Sequence, residues 1–195
     1  MTNLSVNVNK IAWLRNARGE GRPDIIELSK ILIDCGIQGL TVHPRPDLRH
    51  ITPDDVYDIS SICIESNVEF NIEGNPYSET TEIYPGFINL VKDIEPDTFH
   101  IDQIKLTGAD RIELYTGPYA VNPTLEVVSL YEKAFNHAKR LGLDVNAGHD
   151  LDLNNLRLFL SKVPADEVSI GHALISDALI NGLEVVTKQF LDLCK

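Results

Sequence analysis

Residues 39–51, GLTVHPRPDLRHI, concentrate cationic and titratable side chains directly after a short apolar run. His43, Arg45, Arg49 and His50 fall within this segment, although the whole chain carries 29 acidic against 17 basic residues and a net charge of -12. A guanidinium group binds phosphate through two parallel hydrogen bonds. The segment therefore predicts a local site for an anion, with pairing of the arginines to nearby aspartates as the alternative.

Three further segments place a polar side chain at the end of an apolar run. Glu73 in NIEG would be a partly desolvated carboxylate suited to acid–base chemistry, and His149 in NAGHD is a histidine among small residues. Gly171 and His172 stand where a helix is predicted to begin, and exposed amides at a helix start bind phosphate. Each also has a structural interpretation, as a core histidine, a turn carboxylate or a turn glycine.

The elements that must position these residues alternate along the chain. β-rich runs occupy residues 4–8, 39–44, 69–74, 97–100, 111–117, 143–150 and 167–173. Amphipathic segments with helical spacing occupy residues 23–36, 52–66, 85–95, 124–142, 153–163 and 174–194. Such alternation predicts parallel strands connected by helices.

A closed (β/α)8 barrel, the TIM barrel, is favoured over an open doubly wound sheet. Polar residues recur at the carboxyl ends of the strands, and neither a GxGxxG fingerprint nor a P-loop is present. In a barrel these ends meet at one mouth. Residues 10–19 are interpreted as the loop after the first strand, which would bring Arg15 and Arg18 to that mouth. We expect residues 1–195 to form a single barrel domain.

The number of strands falls one short of a complete barrel, because seven β-rich runs are found. Only ten residues, IDQIKLTGAD, separate the fourth run from the fifth, which is too short for a parallel crossover. About one βα unit, on the order of 30 residues, is therefore expected to be missing between His100 and Ile101.

Composition excludes several classes of protein. The acidic balance argues against nucleic acid or an anionic membrane as a partner, since both require a basic face. The three cysteines lie far apart without CxxC spacing, which indicates reduced thiols and not a disulfide framework or a zinc site. No leader pattern and no long apolar stretch occur, so a cytoplasmic protein is expected.

Six blocks of sequence together resemble the pyridoxine 5'-phosphate synthase family over nearly the whole chain. They are SVNVNKIAWLRNARG, GLTVHPRPDLRHI, FNIEG, ADRIELYTGPYA, LDVNAGHDL and VSIGHALISDAL. The resemblance implies a (β/α)8 barrel that joins 1-deoxy-D-xylulose 5-phosphate to 3-amino-2-oxopropyl phosphate, releasing phosphate and water. It also implies small phosphorylated molecules as partners, no metal or organic cofactor, and a homo-octamer.

The resemblance also assigns roles to individual residues. It implies that His43 and Glu73 form the acid–base pair. It makes His149 the proton donor and Glu113 the group that stabilises the transition state. Residues matching the positions for the amino-ketone phosphate are Asn7, Arg18, Asp150, Gly171 and His172. Residues matching those for the deoxyxylulose phosphate are Asn9, Lys10, Arg45 and His50. Many family members carry Asp-His where this chain has Asn9-Lys10, and the stretch absent after His100 would hold the loop that closes over the substrates.

Two other functions stay open on the sequence. One is a catalytically inactive, phosphate-binding relative that lacks the closing loop. The other is a different phosphosugar-binding barrel enzyme, such as an isomerase or aldolase. A Schiff-base aldolase requires a lysine in the mouth, where only Lys10 is near, and a metallohydrolase requires paired histidines that the sequence does not contain.

Overall fold

A computed structural model of the chain describes residues 1–45, 47–73, 93–94 and 109–195. The strands in these residues are β1 (Asn3–Asn7), β2 (Gly39–Val42), β3 (Glu69–Ile72), β4 (Asp93–Ile94), β5 (Arg111–Tyr115), β6 (Asp144–Gly148) and β7 (Glu167–Ile170). The helices are α1 (Asn9–Asn16), α2 (Ile25–Asp34), α3 (Pro53–Ser66), α4 (Gly117–Val121), α5 (Leu125–Arg140), α6 (Leu156–Lys162), α7 (His172–Asn181) and α8 (Leu183–Leu193).

The strands form one parallel sheet in the order β3-β2-β1-β7-β6-β5-β4. The first and last strands are neighbours, paired from Asn3 opposite Glu167 to Val6 opposite Ile170. This is the circular strand order of a barrel, and among the described residues β3 and β4 are the two ends of that order. An ion pair between Arg111 on β5 and Glu69 on β3 joins strands that are far apart in the sheet order. The sheet therefore curls on itself, which confirms the predicted barrel-type fold.

Strand residues alternate between two environments, as the two-residue period of a strand requires. Leu4 and Val6 on β1 are fully buried members of the apolar core. Ser5 lies between them and shares a hydrogen bond of 2.6 Å with Thr41 on β2. The inside of the curl is thus partly polar, and the apolar strand face packs beneath the helices.

Helix boundaries follow the capping residues that the sequence displays. Thr52 and Asp55 form a reciprocal capping box at the start of α3, with Pro53 in the first turn. Asp24 caps α2 by accepting hydrogen bonds from two backbone amides. The chain leaves α2 and α5 through Gly36 and Gly142, both at positive φ. In the described part of the chain, no helix has the length and apolar character needed to cross a membrane.

Two predicted segments differ from the structure. The region after β1 was expected to be a loop, but residues Asn9–Asn16 form helix α1, because Ile11 and Ala12 bury an apolar face against the core. The single helix predicted for residues 174–194 is two helices, α7 and α8. Gly182 separates them with φ 88° and ψ 144°, a conformation outside the helical region.

The segment between β3 and β5 also differs from the prediction. Asp93 and Ile94 were expected in a helix, but they form β4 and pair in parallel with Glu113 and Leu114. The prediction of a strand at residues 97–100 lies outside the described residues.

Glu167 is a carboxyl group buried inside the curl of the sheet. Its Oε1 accepts hydrogen bonds from the side-chain amides of Asn71 at 3.0 Å and Asn146 at 2.8 Å. Burial of the carboxyl group, and to a lesser extent the negative charge of Glu69, raises the pKa of Glu167 to about 8. The barrel interior therefore favours the neutral acid at this position.

Glu167→Gln is expected to remove a pH dependence from the free energy of unfolding. The folded-state pKa of about 8 lies above the ordinary value of 4.5, so the folded protein keeps a proton that the unfolded chain has lost. The stability that this proton contributes is fully present below pH 4.5. It is lost, by about 1.4 kcal/mol per pH unit, as the pH rises from 4.5 to about 8. Urea unfolding at about pH 5, 6.5 and 8 measures the difference between wild type and variant.

Glu184→Gln provides the control, because the side chain of Glu184 on α8 is 66% exposed. This variant is expected to follow the wild-type pH dependence. If Glu167→Gln did the same, the carboxyl group would be ionised in the folded protein and the assignment would be wrong.

Candidate functional site

A cavity of about 540 Å³ lies at the carboxyl ends of the strands. Its lining residues are Asn7, Asn9, Lys10, Trp13, His43, Arg45, Arg49, His50, Glu73, His149, Asp150, Leu151, Ser169, Gly171, His172 and Ala173. Of the residues singled out by the sequence, all but Arg15, Arg18 and Glu113 are in this set. Glu113 is buried beneath the cavity, and Arg18 is away from it, with its side chain 81% exposed and next to Glu20.

An imidazole and a carboxylate face each other on one side of the cavity. Nδ1 of His43, just after β2, lies 3.5 Å from Oε2 of Glu73, just after β3. The side-chain amide of Asn7 donates to both carboxylate oxygens at 3.4 Å, and the Ser169 hydroxyl donates to Oε1 at 3.3 Å. Asn9 accepts a hydrogen bond of 2.9 Å from the backbone amide of His43. The two groups are thus held facing each other, at a distance slightly longer than the about 2.6–3.2 Å over which a proton passes directly.

A second carboxylate and imidazole lie across the sheet. The carboxylate, Glu113, is on β5, and the imidazole, His149, comes just after β6. Nδ1 of His149 is 3.9 Å from Oε1 of Glu113, and the ring of His149 makes an edge contact with the ring of Tyr115 at 4.8 Å between centroids. Glu113 is 1% exposed. It fits because residue 148 is glycine: a Cβ there would lie 2.1 Å from the Glu113 oxygen.

Three cationic side chains, Lys10, Arg45 and Arg49, line the cavity. Lys10 extends over the ring of Trp13, with 5.6 Å from its Nζ to the ring centroid. Arg49 lies 3.6 Å from Asp47 in an exposed pair, which is worth little in water. Arg45 makes no ion pair with the described residues. These charges give the cavity a local cationic wall within an acidic protein.

Arg15, expected at the mouth, has a structural role away from the cavity. It pairs with both carboxylate oxygens of Asp55, and its guanidinium also donates to the His50 carbonyl at 3.3 Å. Burial alone would raise the pKa of Asp55, but hydrogen bonds from Arg15 and Thr52 outweigh it and lower that pKa. Asn16 donates to the same carbonyl at 2.8 Å. Helix α1 therefore fixes the end of the loop that carries Arg45 and Arg49.

His50 is held as a neutral hydrogen-bond donor. Its Nδ1 accepts the backbone N–H of Ile51 at 2.9 Å, which leaves the proton on Nε2. Burial of the ring, and to a lesser extent the charges of His43, Arg45 and Arg49, lowers the pKa of His50 to about 4. The group therefore offers a ligand an N–H without changing charge near neutral pH.

The start of α7 closes the cavity on the side of β7. The first amides of a helix have no partner within the helix, and Gly171, His172 and Ala173 all line the cavity. Gly171 packs closely against β1, since a Cβ there would lie 3.1 Å from Cβ of Asn7 and 3.3 Å from its carbonyl oxygen. A helix start in this position can bind an anionic group.

Sequence reasoning missed two cavity residues that carry polar or aromatic contacts. Ser169 follows Glu167 by two residues, so the strand period places both on the inner face of the sheet. Trp13 is the only tryptophan of the chain and is 57% exposed, but it lies in a segment interpreted as a loop. Among the described residues, no cluster of three histidine, cysteine or acidic side chains is arranged to hold a metal ion.

A titration of His50 followed by NMR is expected to give a midpoint of about 4 and a ring protonated at Nε2 through the neutral range. Folding disfavours the charged ring, so protonation requires a more acidic solution than for an exposed histidine. Arg45→Ala is expected to move the midpoint upward, because the positive charge of Arg45 contributes to the shift. A midpoint at the ordinary value of 6.5 would contradict the assignment.

Comparison with solved structures shows the fold. The chain superposes on a thiamine phosphate pyrophosphorylase from Pyrococcus furiosus with a TM-score of 0.64 and 10% identity, covering 99% of this chain and 95% of that one. A mutant tryptophan synthase alpha-subunit from Pyrococcus furiosus gives a TM-score of 0.59 with 15% identity, covering 98% and 96%. At these identities the likeness concerns the fold alone.

Sequence relatives are much closer. A pyridoxine 5'-phosphate synthase from Porphyromonas gingivalis is 44% identical over 240 aligned positions, which cover 98% of this chain and 98% of the relative. One from Xylella fastidiosa is 41% identical over 245 positions, covering 98% and 94%. The 240 positions exceed the 195 residues of this chain by 45, so the first relative has at least 45 residues without a counterpart here. This agrees with the expected absence of a βα unit. The predicted junction at His100 and Ile101 lies outside the described residues.

The family described as "Pyridoxal phosphate biosynthesis protein PdxJ" matches this chain in two segments, residues 4–92 and 86–195. The two segments overlap at residues 86–92, in the part of the chain between β3 and β5. Together they cover residues 4–195. With this match, and with relatives 44% and 41% identical over nearly the whole chain, the protein belongs to the PdxJ family of pyridoxal phosphate biosynthesis proteins.

Proposed function

We propose that this chain is a pyridoxine 5'-phosphate synthase, which condenses 1-deoxy-D-xylulose 5-phosphate with 3-amino-2-oxopropyl phosphate to form pyridoxine 5'-phosphate, phosphate and water. One observation carries the proposal. Two imidazole–carboxylate pairs, His43 with Glu73 and His149 with Glu113, meet at one cavity that also has a cationic wall. The relatives at 44% and 41% identity bear the name of this enzyme.

The two phosphorylated substrates require two anion sites. The cavity offers two such sites, one built from cationic side chains and one from backbone amides. Lys10 and Arg45 provide positive charge, and His50 provides a neutral N–H beside them. These residues hold the deoxyxylulose phosphate, together with Asn9. Across the cavity, the amides at the start of α7 hold the amino-ketone phosphate. The substrates are thereby brought together in one orientation, which supplies much of the rate.

The reaction moves several protons in sequence, since an amine condenses with a ketone, phosphate is eliminated and a carbon nucleophile closes the ring. Glu73 accepts protons from the substrates, and His43, 3.5 Å away, relays them. His149 donates the proton that a departing oxygen needs. Glu113 lies below His149 and stabilises the positively charged imidazolium that gives up this proton. The two pairs thus divide base and acid roles between opposite sides of the cavity.

The proposed enzyme acts in the cytoplasm on small-molecule partners, as one barrel domain assembled into a homo-octamer, and requires no cofactor. Exposed apolar side chains support contacts between subunits. Leu179 and Ile180 near the end of α7 are 75% and 84% exposed, and Val185 on α8 is 53% exposed.

A second candidate function is phosphate binding without turnover. It is favoured by the at least 45 aligned residues of the Porphyromonas gingivalis relative that have no counterpart here. On this alternative the anion sites bind both phosphates, but the reaction does not proceed because water is not excluded.

Incubation of the purified chain with both substrates is expected to produce pyridoxine 5'-phosphate, measured by chromatography with mass detection. His43→Ala and Glu73→Gln are each expected to lower kcat by at least about 100-fold, since each removes a group that transfers protons. His137→Ala on α5 and Glu184→Gln on α8 are the matched controls, because neither residue lines the cavity. Calorimetry shows in parallel whether each substrate binds.

Binding of both substrates without product in the wild type would reject the synthase and support the second function. Normal turnover in His43→Ala or Glu73→Gln would reject the roles given to those residues.

Gly148→Ala is expected to lower kcat by about 100-fold while the protein stays folded, because the new Cβ would displace the Glu113 carboxylate below His149. Gly142→Ala is the control. Its φ of 71° is also strained for alanine, but no atom lies within 4 Å of the new Cβ, so thermal stability falls without loss of kcat. Steady-state kinetics and thermal unfolding separate the two effects. Wild-type kcat in Gly148→Ala would show that the position of Glu113 is unimportant.

A further inference from the structure

The turn that carries His149 has an unfavourable backbone conformation. Strand β6 ends at Gly148, and the next two residues, His149 and Asp150, have φ values of 81° and 58°. Both φ values lie in the left-handed region, which is disfavoured by about 1–2 kcal/mol for each residue that has a Cβ. Two such residues in succession persist only if surrounding contacts hold them.

Three consecutive carbonyl groups of this turn are held by two side chains. The Thr116 hydroxyl lies 2.5 Å from the Gly148 carbonyl oxygen and 2.6 Å from that of His149, and shares its proton between them. The backbone amide of Thr116 also donates a hydrogen bond of 2.8 Å to the Gly148 carbonyl. The side-chain amide of Asn155 donates to the Asp150 carbonyl at 3.1 Å. We call Thr116 and Asn155 the carbonyl clamp.

Both members of the carbonyl clamp are themselves fixed. Thr116 is fully buried between β5 and α4, and its carbonyl accepts the amide of Ala120 at 2.9 Å. Asn155, 5% exposed, accepts the amide of Asp152 through Oδ1 at 2.9 Å. Its backbone carbonyl accepts the hydroxyl of the buried Tyr119 at 2.8 Å. The clamp thus connects the turn to rigid elements on either side.

We propose that Thr116 and Asn155 are positioning residues, which hold the left-handed turn so that the His149 imidazole stays above Glu113 and against the ring of Tyr115. The catalytic consequence rests on the proposed function, in which His149 transfers a proton. The positioning itself does not depend on it.

Removal of the Thr116 hydroxyl changes the turn for a simple reason. Without it the His149 carbonyl loses a buried donor, and the left-handed residues lose part of the contact that offsets their strain. The backbone then relaxes towards ordinary φ values, which carries the imidazole away from Glu113 at 3.9 Å and from the Tyr115 ring at 4.8 Å. Threonine and valine have nearly the same shape, so Thr116→Val removes the hydroxyl with little change in packing.

The ligand-free protein provides the first test, by NMR of protein with 13C-labelled histidine. The edge contact with Tyr115 is expected to displace the His149 ring resonance, which is assigned with His149→Gln. Wild type and Thr116→Ser are expected to keep the displacement, and Thr116→Val is expected to lose it. Thr187→Val is the matched control: Thr187 is also fully buried and donates to a carbonyl, that of Leu183 at 2.7 Å, but it lies on α8. An unchanged resonance in Thr116→Val would overturn the proposal.

Turnover provides the second test. Thr116→Val is expected to lower kcat on the order of 100-fold with a much smaller change in KM, because the substrates still bind while the proton donor is misplaced. Thr116→Ser is expected to restore kcat to within a few-fold of wild type. A loss of kcat that serine does not restore would show that the methyl group, and not the hydroxyl, matters.

Asn155→Asp tests the clamp independently if Thr116→Val does not fold. It keeps an acceptor for the Asp152 amide but replaces the donor to the Asp150 carbonyl, and Asn154→Asp on the neighbouring exposed residue controls for the added charge. Loss of the displaced resonance only in Asn155→Asp supports the proposal, and the same spectrum in both variants overturns it. If wild type showed the displaced resonance but no turnover, the proposed function would fail while the positioning role stood.

Discussion

Parallel pairing of β1 with β7 is the constraint on which the site depends. It joins the first strand of the chain to the last in register, from Asn3 opposite Glu167 to Val6 opposite Ile170. The carboxyl ends of the strands then face one cavity, because parallel strands all point the same way. Without this pairing, polar residues at either end of the chain would lie on opposite edges of an open sheet.

The barrel interior connects this architecture to the chemistry. Glu167 is buried among amide side chains and is favoured as a neutral acid, which avoids an uncompensated charge below the cavity. Arg111 and Glu69 pair across the curl at the same level. Positive charge is instead placed at the open end, where Arg45 makes no ion pair with the described residues. An acidic protein thus keeps a cationic surface at the place where anionic ligands enter.

The two imidazoles of the site are held by different means. His43 is held by side chains and by its backbone amide, through Glu73 and Asn9. The turn that carries His149 is held through its backbone, whose carbonyls bond to Thr116 and Asn155. A side-chain network permits small adjustments as protons move, whereas a strained turn fixes one orientation. This difference fits a relay on one side of the cavity and a fixed donor on the other.

Local patterns in the sequence were sufficient for the alternating elements, the strand ends and most of the cavity residues. Apolar periodicity and capping residues such as Thr52 are short-range signals, and strand direction follows from the alternation itself. Local patterns misjudged α1, where Ile11 and Ala12 are helical because the core covers them, and the long C-terminal helix, which Gly182 divides.

Tertiary contacts decided what the sequence could not. Arg15 and Arg45 are the same residue type and each follows a strand, yet one pairs with Asp55 and the other lines the cavity. The strain at His149 and the role of Thr116 are equally invisible in sequence, since they arise between segments more than 30 residues apart. The sequence by itself determined which groups stand at the strand ends. Only the tertiary structure decided which of them meet, because pairing and hydrogen bonding between distant segments depend on how the sheet curls.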